Sequence, residues 1–344
     1  MAVVPAVPAP PTVNMDDYTI QFETKVLQDA GCLVKESIAR GAFGWVFVVD
    51  LGDGIRRAAK VQKKEQYLNR EWINKEILQK VPSENLVKFL GKKEMMSHII
   101  VLMEYANMGP LTQLIRSKEP LPEQALGIIM YQALKGISII HSQGFVHRDL
   151  KPSNLLLHNE EDSEFVTLKI CDFGECTRKE GLMFQEISGT LPYMAIEVHK
   201  HAYSMSEKID IWSLGVVMYE LMSKKNPFSI DTDQIKKLDQ KSVDDLLVDE
   251  YPIEYSPKCI GMMRDMLKVD PYYRPTANDL LQKYTLMIRI QKEMKEAEDL
   301  KQKYGLMLDD VVRITGRMKT VNLNQIKLAQ WQQQQQQLQQ EQKV

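Results

Sequence analysis

The hydrophobic pattern of the chain changes once, near residue 105, and that change limits the folds it can take. From about 27 to 105 the apolar runs are short, β-branched and aromatic, as in "WVFVVD" and "HIIVLMEY", and are bounded by Gly or polar residues. Such runs read as strands. One stretch among them, "LNREWINKEILQKV", has apolar residues at 68, 72, 73, 77, 78 and 81, a spacing that predicts a helix. From about 110 to 290 helical spacing dominates, as in "QALGIIMYQALKGISIIHSQG" and "KIDIWSLGVVMYELMSK". The first of these ends at Gly144, a natural C-cap residue. A small β-rich half followed by a larger helical half, joined by a short link near Tyr105 to Met108, predicts an α+β chain of two lobes with a cleft between them.

The 344 residues suffice for two domains or one large two-lobed domain. Hydrophobic residues make up 44% and charged residues 26%, so a sizeable core can form. A net charge of −2 gives no global field toward nucleic acid or an anionic membrane, and no apolar run reaches the roughly 18 residues of a membrane span. Neither partner is expected. The four cysteines, Cys32, Cys171, Cys176 and Cys259, lack metal-ligand spacing and read as free thiols in a reducing compartment. The opening "MAVVPAVPAP" has no basic n-region and is broken by prolines, a poor signal peptide, which points to the cytoplasm or the nucleus. Residues 1–20 are expected to be a disordered Pro/Ala-rich segment, and 290–344 a helical and Gln-rich tail. In that tail Leu300, Tyr304, Met307 and Val311 share a helical spacing that Gly305 interrupts, so a seam there is expected to dock on the larger lobe or bind a partner protein.

Three stretches carry chemistry. In "SIARGAFGWVFVVD" two strand-like runs flank a turn with Gly41 and Gly44. Glycines there let backbone N–H groups approach phosphate oxygens, although a plain hairpin would also use them. Further on, "RRAAKVQ" sets Lys60 in a strand, where it either holds phosphate oxygens or snorkels from an edge to water. The stretch "VHRDLKPSN" is the most informative. Asp149 is placed to accept or orient a proton from an attacking hydroxyl. Lys151 is placed to neutralise charge on a transferring phosphoryl group. Asn154 offers an amide oxygen to a hard cation, and Asp172 in "KICDFGE" supplies the carboxylate that such a cation needs beside substrate phosphates. Any one of these residues fits a solvated loop. All of them in this order do not.

With these residues the chain resembles a eukaryotic protein kinase over residues 27–288, as a small β-rich N-lobe (27–105) and a larger helical C-lobe (108–288). The resemblance implies phosphoryl transfer from ATP with Mg2+ as cofactor. Ile38, Ala39, Gly41, Gly44 and Val46 match the glycine-rich loop, with Ala39 where the first glycine is expected. Ala58 and Lys60 match the strand whose lysine touches the α- and β-phosphates. Met103 falls at the gatekeeper position, and Glu104 and Ala106 would offer backbone hydrogen bonds to adenine. Asp149 matches the catalytic aspartate, and Asn154 and Asp172 the two metal ligands. Asp210 resembles the aspartate that braces the catalytic loop, and Arg274 the partner of the activation-segment glutamate, here Glu197. Ile196 stands where the motif before that glutamate has proline.

Lys151 and the pair Gly189-Thr190 resemble serine/threonine rather than tyrosine kinases. "RGAFG", "MEYA", "HRDLKPSNLLL" and "LKICDFG" together look most like MAP kinase kinase kinases such as the TGF-β-activated kinase. The implied partners are a protein substrate and an upstream kinase or activator, with Ser188 and then Thr177 as phosphorylation sites read by Arg148. The alternative from another class is a pseudokinase, a nucleotide-binding scaffold or switch on the same fold. A metabolic small-molecule kinase fits poorly, because the segment from Asp172 to Glu197 resembles a peptide-docking element. The helix "NREWINKEILQKV" leaves one position open. Aligned without gaps, Asn74 occupies the slot of the glutamate that pairs with Lys60, whereas a local shift would bring Glu71 or Glu76 there.

Overall fold

The computed structural model describes residues 15–41, 44–67, 81–117, 119–160, 163, 165–184, 189–200, 205–247, 251–288 and 306–307. The helix expected over 68–81 lies almost wholly outside these residues, as does Asn74. The chain forms two units. The first holds residues up to 69 together with 88–105, and the second holds 70–87 and everything from 106 onward.

The first unit is a five-stranded antiparallel sheet: β1 (Leu33–Gly41), β2 (Gly44–Asp50), β3 (Arg56–Lys63), β4 (Phe89–Glu94) and β5 (His98–Glu104), in the order β1-β2-β3-β5-β4. Strand alternation divides its residues between two faces. Phe47, Val49, Ala59, Val61 and Ile100 are buried on one face against Leu27, Ala30 and Cys32. Val46, Lys60 and Val101, directly opposite one another in the ladder, occupy the other. The cover on the first face comes from a helix, Met15–Asp29. Residues 15–20 are thus helical where disorder was expected, and order begins before residue 27; residues 1–14 lie outside the described residues. The helix forms because it packs Ile20, Val26 and Leu27 against the sheet.

In the second unit the helices Glu123–Ser142 and Lys208–Ser223 form the interior. In the latter every residue but Lys208 and Glu220 is buried, as expected of a helix apolar on all sides. Gly144 follows the former with φ 76, the left-handed turn that glycine makes without strain. Among the described residues no helix is long and apolar enough to cross a membrane. The small strands are β6 (Gly109–Pro110), β7 (Phe145–Val146), β8 (Leu155–Asn159), β9 (Phe165–Ile170), β10 (Thr177–Arg178) and β11 (Leu306–Met307). Two sheets result, β11-β9-β8-β6 and β10-β7. Residues 81–87 also belong here, although the sequence placed them in the N-lobe. Their hydrogen bonds explain it: Val87 N donates to Ile170 O, Ile170 N to Asn85 O, and Asn85 Nδ2 to Leu168 O. The tail also departs from expectation. Leu306 and Met307 pair as a strand with Val166 and Phe165 instead of lying in a helical seam. The β9 edge supplies backbone partners that an isolated short helix would lack. Leu300, Tyr304 and Val311 are outside the described residues.

One buried ion pair ties distant parts of this unit together. Arg274, with no exposure, donates to both oxygens of Glu197 at 2.7 and 3.1 Å. Its remaining N–H groups reach Lys268 O, Lys208 O and Val269 O, and its guanidinium lies 5.1 Å from the centre of the Trp212 ring. Ile196, in place of the family's proline, is buried one residue before Glu197 and does not prevent the pair. Removing only the cation leaves a buried carboxylate alone. Arg274→Met should therefore destabilise the fold by roughly 3–5 kcal/mol in chemical denaturation, and adding Glu197→Leu should restore a large part of that loss. Equal stability of the single and double variants would refute this account.

Candidate active site

The segment from Phe145 to Asn154 is held from below by one carboxylate. Asp210, in the helix Lys208–Ser223, has no exposure and accepts hydrogen bonds from His147 N at 2.8 Å, Arg148 N at 2.9 Å and His141 Nε2 at 2.9 Å. Burial opposes its ionisation. The hydrogen bonds it accepts and the two neighbouring histidines outweigh burial, and its pKa lies below the ordinary carboxylate range. Arg148 adopts φ 72, a left-handed conformation uncommon outside glycine, so the chain turns directly after the second of these two N–H groups. Strain of this kind persists only where the surroundings enforce it.

Above this support the reactive side chains meet. Lys151 Nζ lies 2.7 Å from Asp149 Oδ2 and 2.7 Å from Thr190 Oγ1, and Thr190 Oγ1 donates to Asp149 Oδ1 at 2.8 Å. Asn154 Nδ2 donates to Asp149 O at 2.8 Å and to Asp149 Oδ2 at 3.1 Å. The nitrogen of the carboxamide is thus committed, and its oxygen is the atom that could meet a cation. Register then brings up the second carboxylate. Leu155 pairs with Ile170, and Cys171 N donates to Asn154 O at 3.0 Å, so Asp172 follows directly beside Asn154. Asp172 also has a positive φ, 61. An amide oxygen and a carboxylate at the end of one hairpin suit a magnesium ion, which retains waters and completes its shell with substrate oxygens.

His147 joins the two segments. Its Nδ1 accepts from Asp149 N at 3.3 Å, which leaves Nε2 to donate to Cys171 O at 3.1 Å, and its ring lies 5.4 Å from that of Phe173. In the first unit the register aligns Ala39 with Val46, Val46 with Lys60, and Ala58 with Met103, so these residues share one face of the sheet. Lys60 is buried there. Ile38 sits at a register shift in β1 and is exposed.

The protein kinase domain model matches residues 33–285. The chain belongs to the protein kinase family. It is 30% identical over 287 residues to the MAP kinase kinase kinase mkh1 of Schizosaccharomyces pombe, covering 77% of this chain and 25% of that protein. It is 32% identical over 295 residues to calcium-dependent protein kinase 19 of Oryza sativa subsp. japonica, covering 81% of this chain and 53% of the relative. MAP3K epsilon protein kinase 1 of Brassica napus is 28% identical over 270 residues, covering 76% and 20%. The chain thus spans between a fifth and about half the length of these relatives.

Of the residues singled out in the sequence, Asp149 is hydrogen-bonded to Lys151 and Asn154, Asp172 follows Cys171, whose N–H reaches Asn154 O, and Asp210 accepts from Arg148 N. Glu104 N donates to Lys88 O at 2.9 Å within the sheet, which leaves its carbonyl as the backbone group for the expected hydrogen bond to a base. Ala106, buried, follows β5 by two residues. Thr177 is half-buried in β10, opposite Val146, whereas Ser188 lies outside the described residues. His141 and the bridging role of His147 were not read from the sequence; a histidine in a buried helix carries no local mark of its partner. Cys176 is buried, and burial together with the nearby Asp210 charge pushes its thiol pKa up, which makes it inert rather than nucleophilic.

If Asp210 holds the strained Arg148 backbone, its neutral analogue should release it. Asp210→Asn should cost roughly 1–3 kcal/mol of stability, the range for hydrogen bonds to a buried charged group, and lower turnover by at least about tenfold at saturating ATP. Parallel melting and steady-state assays check this. Turnover equal to wild type in the folded variant would show that the brace is dispensable.

Proposed function

We propose that this chain is a serine/threonine protein kinase that moves the γ-phosphoryl group of ATP to a Ser or Thr hydroxyl on a protein. The observation that carries this reading is the hydrogen-bonded triangle of Asp149, Lys151 and Thr190. Asp149 is oriented by Asn154 and Thr190 to take the proton of an incoming hydroxyl. Lys151 Nζ lies 2.7 Å from that carboxylate, where its ammonium offsets negative charge on the phosphoryl group in transfer. Asn154 and Asp172 are the residues that would hold Mg2+, which when bound neutralises phosphate charge. Lys60, by family resemblance, engages the α- and β-phosphates. Positioning and electrostatics supply most of the rate in such chemistry.

A scaffold reading would rest on the departures Ala39, Ile196 and Asn74. Ile196 leaves the Glu197–Arg274 pair intact, and Lys60, Asp149, Asn154 and Asp172 are all present, so the catalytic reading is favoured. Asp149→Asn and Lys60→Met should each lower transfer of γ-phosphate from MgATP to a generic protein substrate by about 10²-fold or more with the fold retained. Near-wild-type transfer by either variant would sink the assigned roles.

The partners follow from the same reading. Resemblance to MAP kinase kinase kinases favours a place in a protein phosphorylation cascade, with an upstream kinase or activator acting on Ser188 or Thr177 and Arg148 receiving the phosphate. The cysteines form no disulfide, which favours a reducing compartment such as the cytoplasm or nucleus. The pairing of Leu306 and Met307 with Val166 and Phe165 favours a tail that docks on the second unit in cis. Cutting the chain after residue 295 removes that strand and should leave ATP affinity within about twofold, with a lower melting temperature, because a two-residue edge pairing adds little to a preformed core. Loss of ATP binding in the truncated kinase would make the tail part of the catalytic unit.

A further inference from the structure

The helix Met15–Asp29 ends before residue 33, where the match to the kinase family begins. Its inward stripe runs through half-buried Ile20, buried Glu23, half-buried Val26 and buried Leu27, and continues into Ala30. Lys93 Nζ donates to Ala30 O at 2.6 Å, and the Phe22 ring lies 5.6 Å from the His98 ring of β5, so the helix is fixed to the sheet at both its end and its middle.

Glu23 does not belong in an apolar stripe. It is 6% exposed, and its Oε2 has no hydrogen-bond partner. A leucine there would pack, and an exposed glutamate would cost nothing, so stability does not account for a buried carboxylate. Its surroundings do. The backbone N–H of Trp45 in β2 donates to it, and the nearby positive charges that favour its ionised form are Lys63 from β3 and then Arg40 from β1. From β5 the facing titratable group is His98, whose pKa is lowered by burial and by Lys63. On its own helix, Lys25 and Asp29 pair with each other in solvent.

Trp45 and Arg40 are cross-strand partners at the root of the glycine-rich loop, one residue inside Gly44 and Gly41. The Arg40 guanidinium lies 5.7 Å from the centre of the Trp45 ring. On the β3 side the root is fixed by close packing, since Gly44, at φ 150, has no room for a Cβ against Val61 O. On the helix side it is fixed by Glu23. We propose that the helix Met15–Asp29 is a positioning element for the glycine-rich loop, acting through the Glu23 carboxylate on Trp45 N–H and on Arg40. The inference rests on the nucleotide-binding reading of that loop. Burial raises the Glu23 pKa to about 7, so its charge changes in the neutral range. The ionised form makes the stronger hydrogen bond and draws Arg40 in, which holds the Arg40–Trp45 root of the loop in place for nucleotide binding.

The test is the affinity of the full-length protein for MgATP by calorimetry between pH 6 and 8.5, with turnover at saturating ATP measured in parallel. Wild type should bind about fivefold more tightly at pH 8 than at pH 6, the difference between a charge-assisted and a neutral hydrogen bond. Glu23→Gln should bind at the weaker level throughout, with turnover within about twofold of wild type, and combining it with Arg40→Gln should add no further loss beyond Glu23→Gln alone. The melting temperature adds an independent sign. An acid with a raised folded pKa favours the fold at low pH and loses that advantage as pH rises toward 7, so Glu23→Gln should melt no lower than wild type at pH 8. A Glu23→Gln variant that keeps the wild-type pH slope, or that melts lower at pH 8, overturns the proposal. If wild type binds no MgATP at any pH, the nucleotide reading itself fails. If it binds with an affinity independent of pH and shared by the variant, only the assignment to Glu23 fails.

Discussion

The second unit is organised around a carboxylate that takes no part in chemistry. Asp210 lies in a helix with almost no polar surface, and a charge there is stable only because three N–H groups are aimed at it. Two of these belong to consecutive residues of the catalytic loop. Immediately after these two N–H groups Arg148 takes a left-handed φ, which turns the chain before Asp149. The order of the site follows. With Arg148 fixed, Asp149 projects to the opposite side, where Lys151, Thr190 and Asn154 share its two oxygens. The rigidity of the reactive carboxylate is inherited from the buried one.

Charge is placed with similar economy elsewhere. Arg274 is as buried as Asp210, and its guanidinium is divided among Glu197, three carbonyls and the Trp212 ring. Glu23 is the exception, with one oxygen unpartnered and a raised pKa. A protein interior tolerates an incompletely satisfied carboxyl where something other than stability selects it. The two satisfied charges hold segments still, whereas the unsatisfied one lies at the root of a loop.

Much of the site was legible in the sequence because its residues are crowded into a few short segments. Asp149, Lys151 and Asn154 fall within six positions, and Asp172 is a hairpin away. The sheet was legible from its β-branched runs. The amino-terminal helix was not, and Glu23 is the reason: a charged residue in the buried stripe breaks the 3.6-residue pattern by which an amphipathic helix is recognised. The segment 81–87 was misplaced for a different reason. Its neighbours in sequence are strands of the first unit, but its hydrogen bonds go to β9 and to the Asn85–Leu168 contact, 83 positions apart. The β11 strand was misread because two residues are too few to display any period.

By itself, the sequence determined which functional groups are available and the two-part alternation of strands and helices, since composition and periodicity are local properties carried by neighbouring residues. Tertiary structure decided the pairings. Thr190 meets Asp149 across 41 positions, His141 meets Asp210 across 69, and Arg274 meets Glu197 across 77. No local preference of a threonine or a histidine names a partner so far along the chain. That choice is made when packing removes water and each buried donor must find the acceptor that the fold has brought within reach.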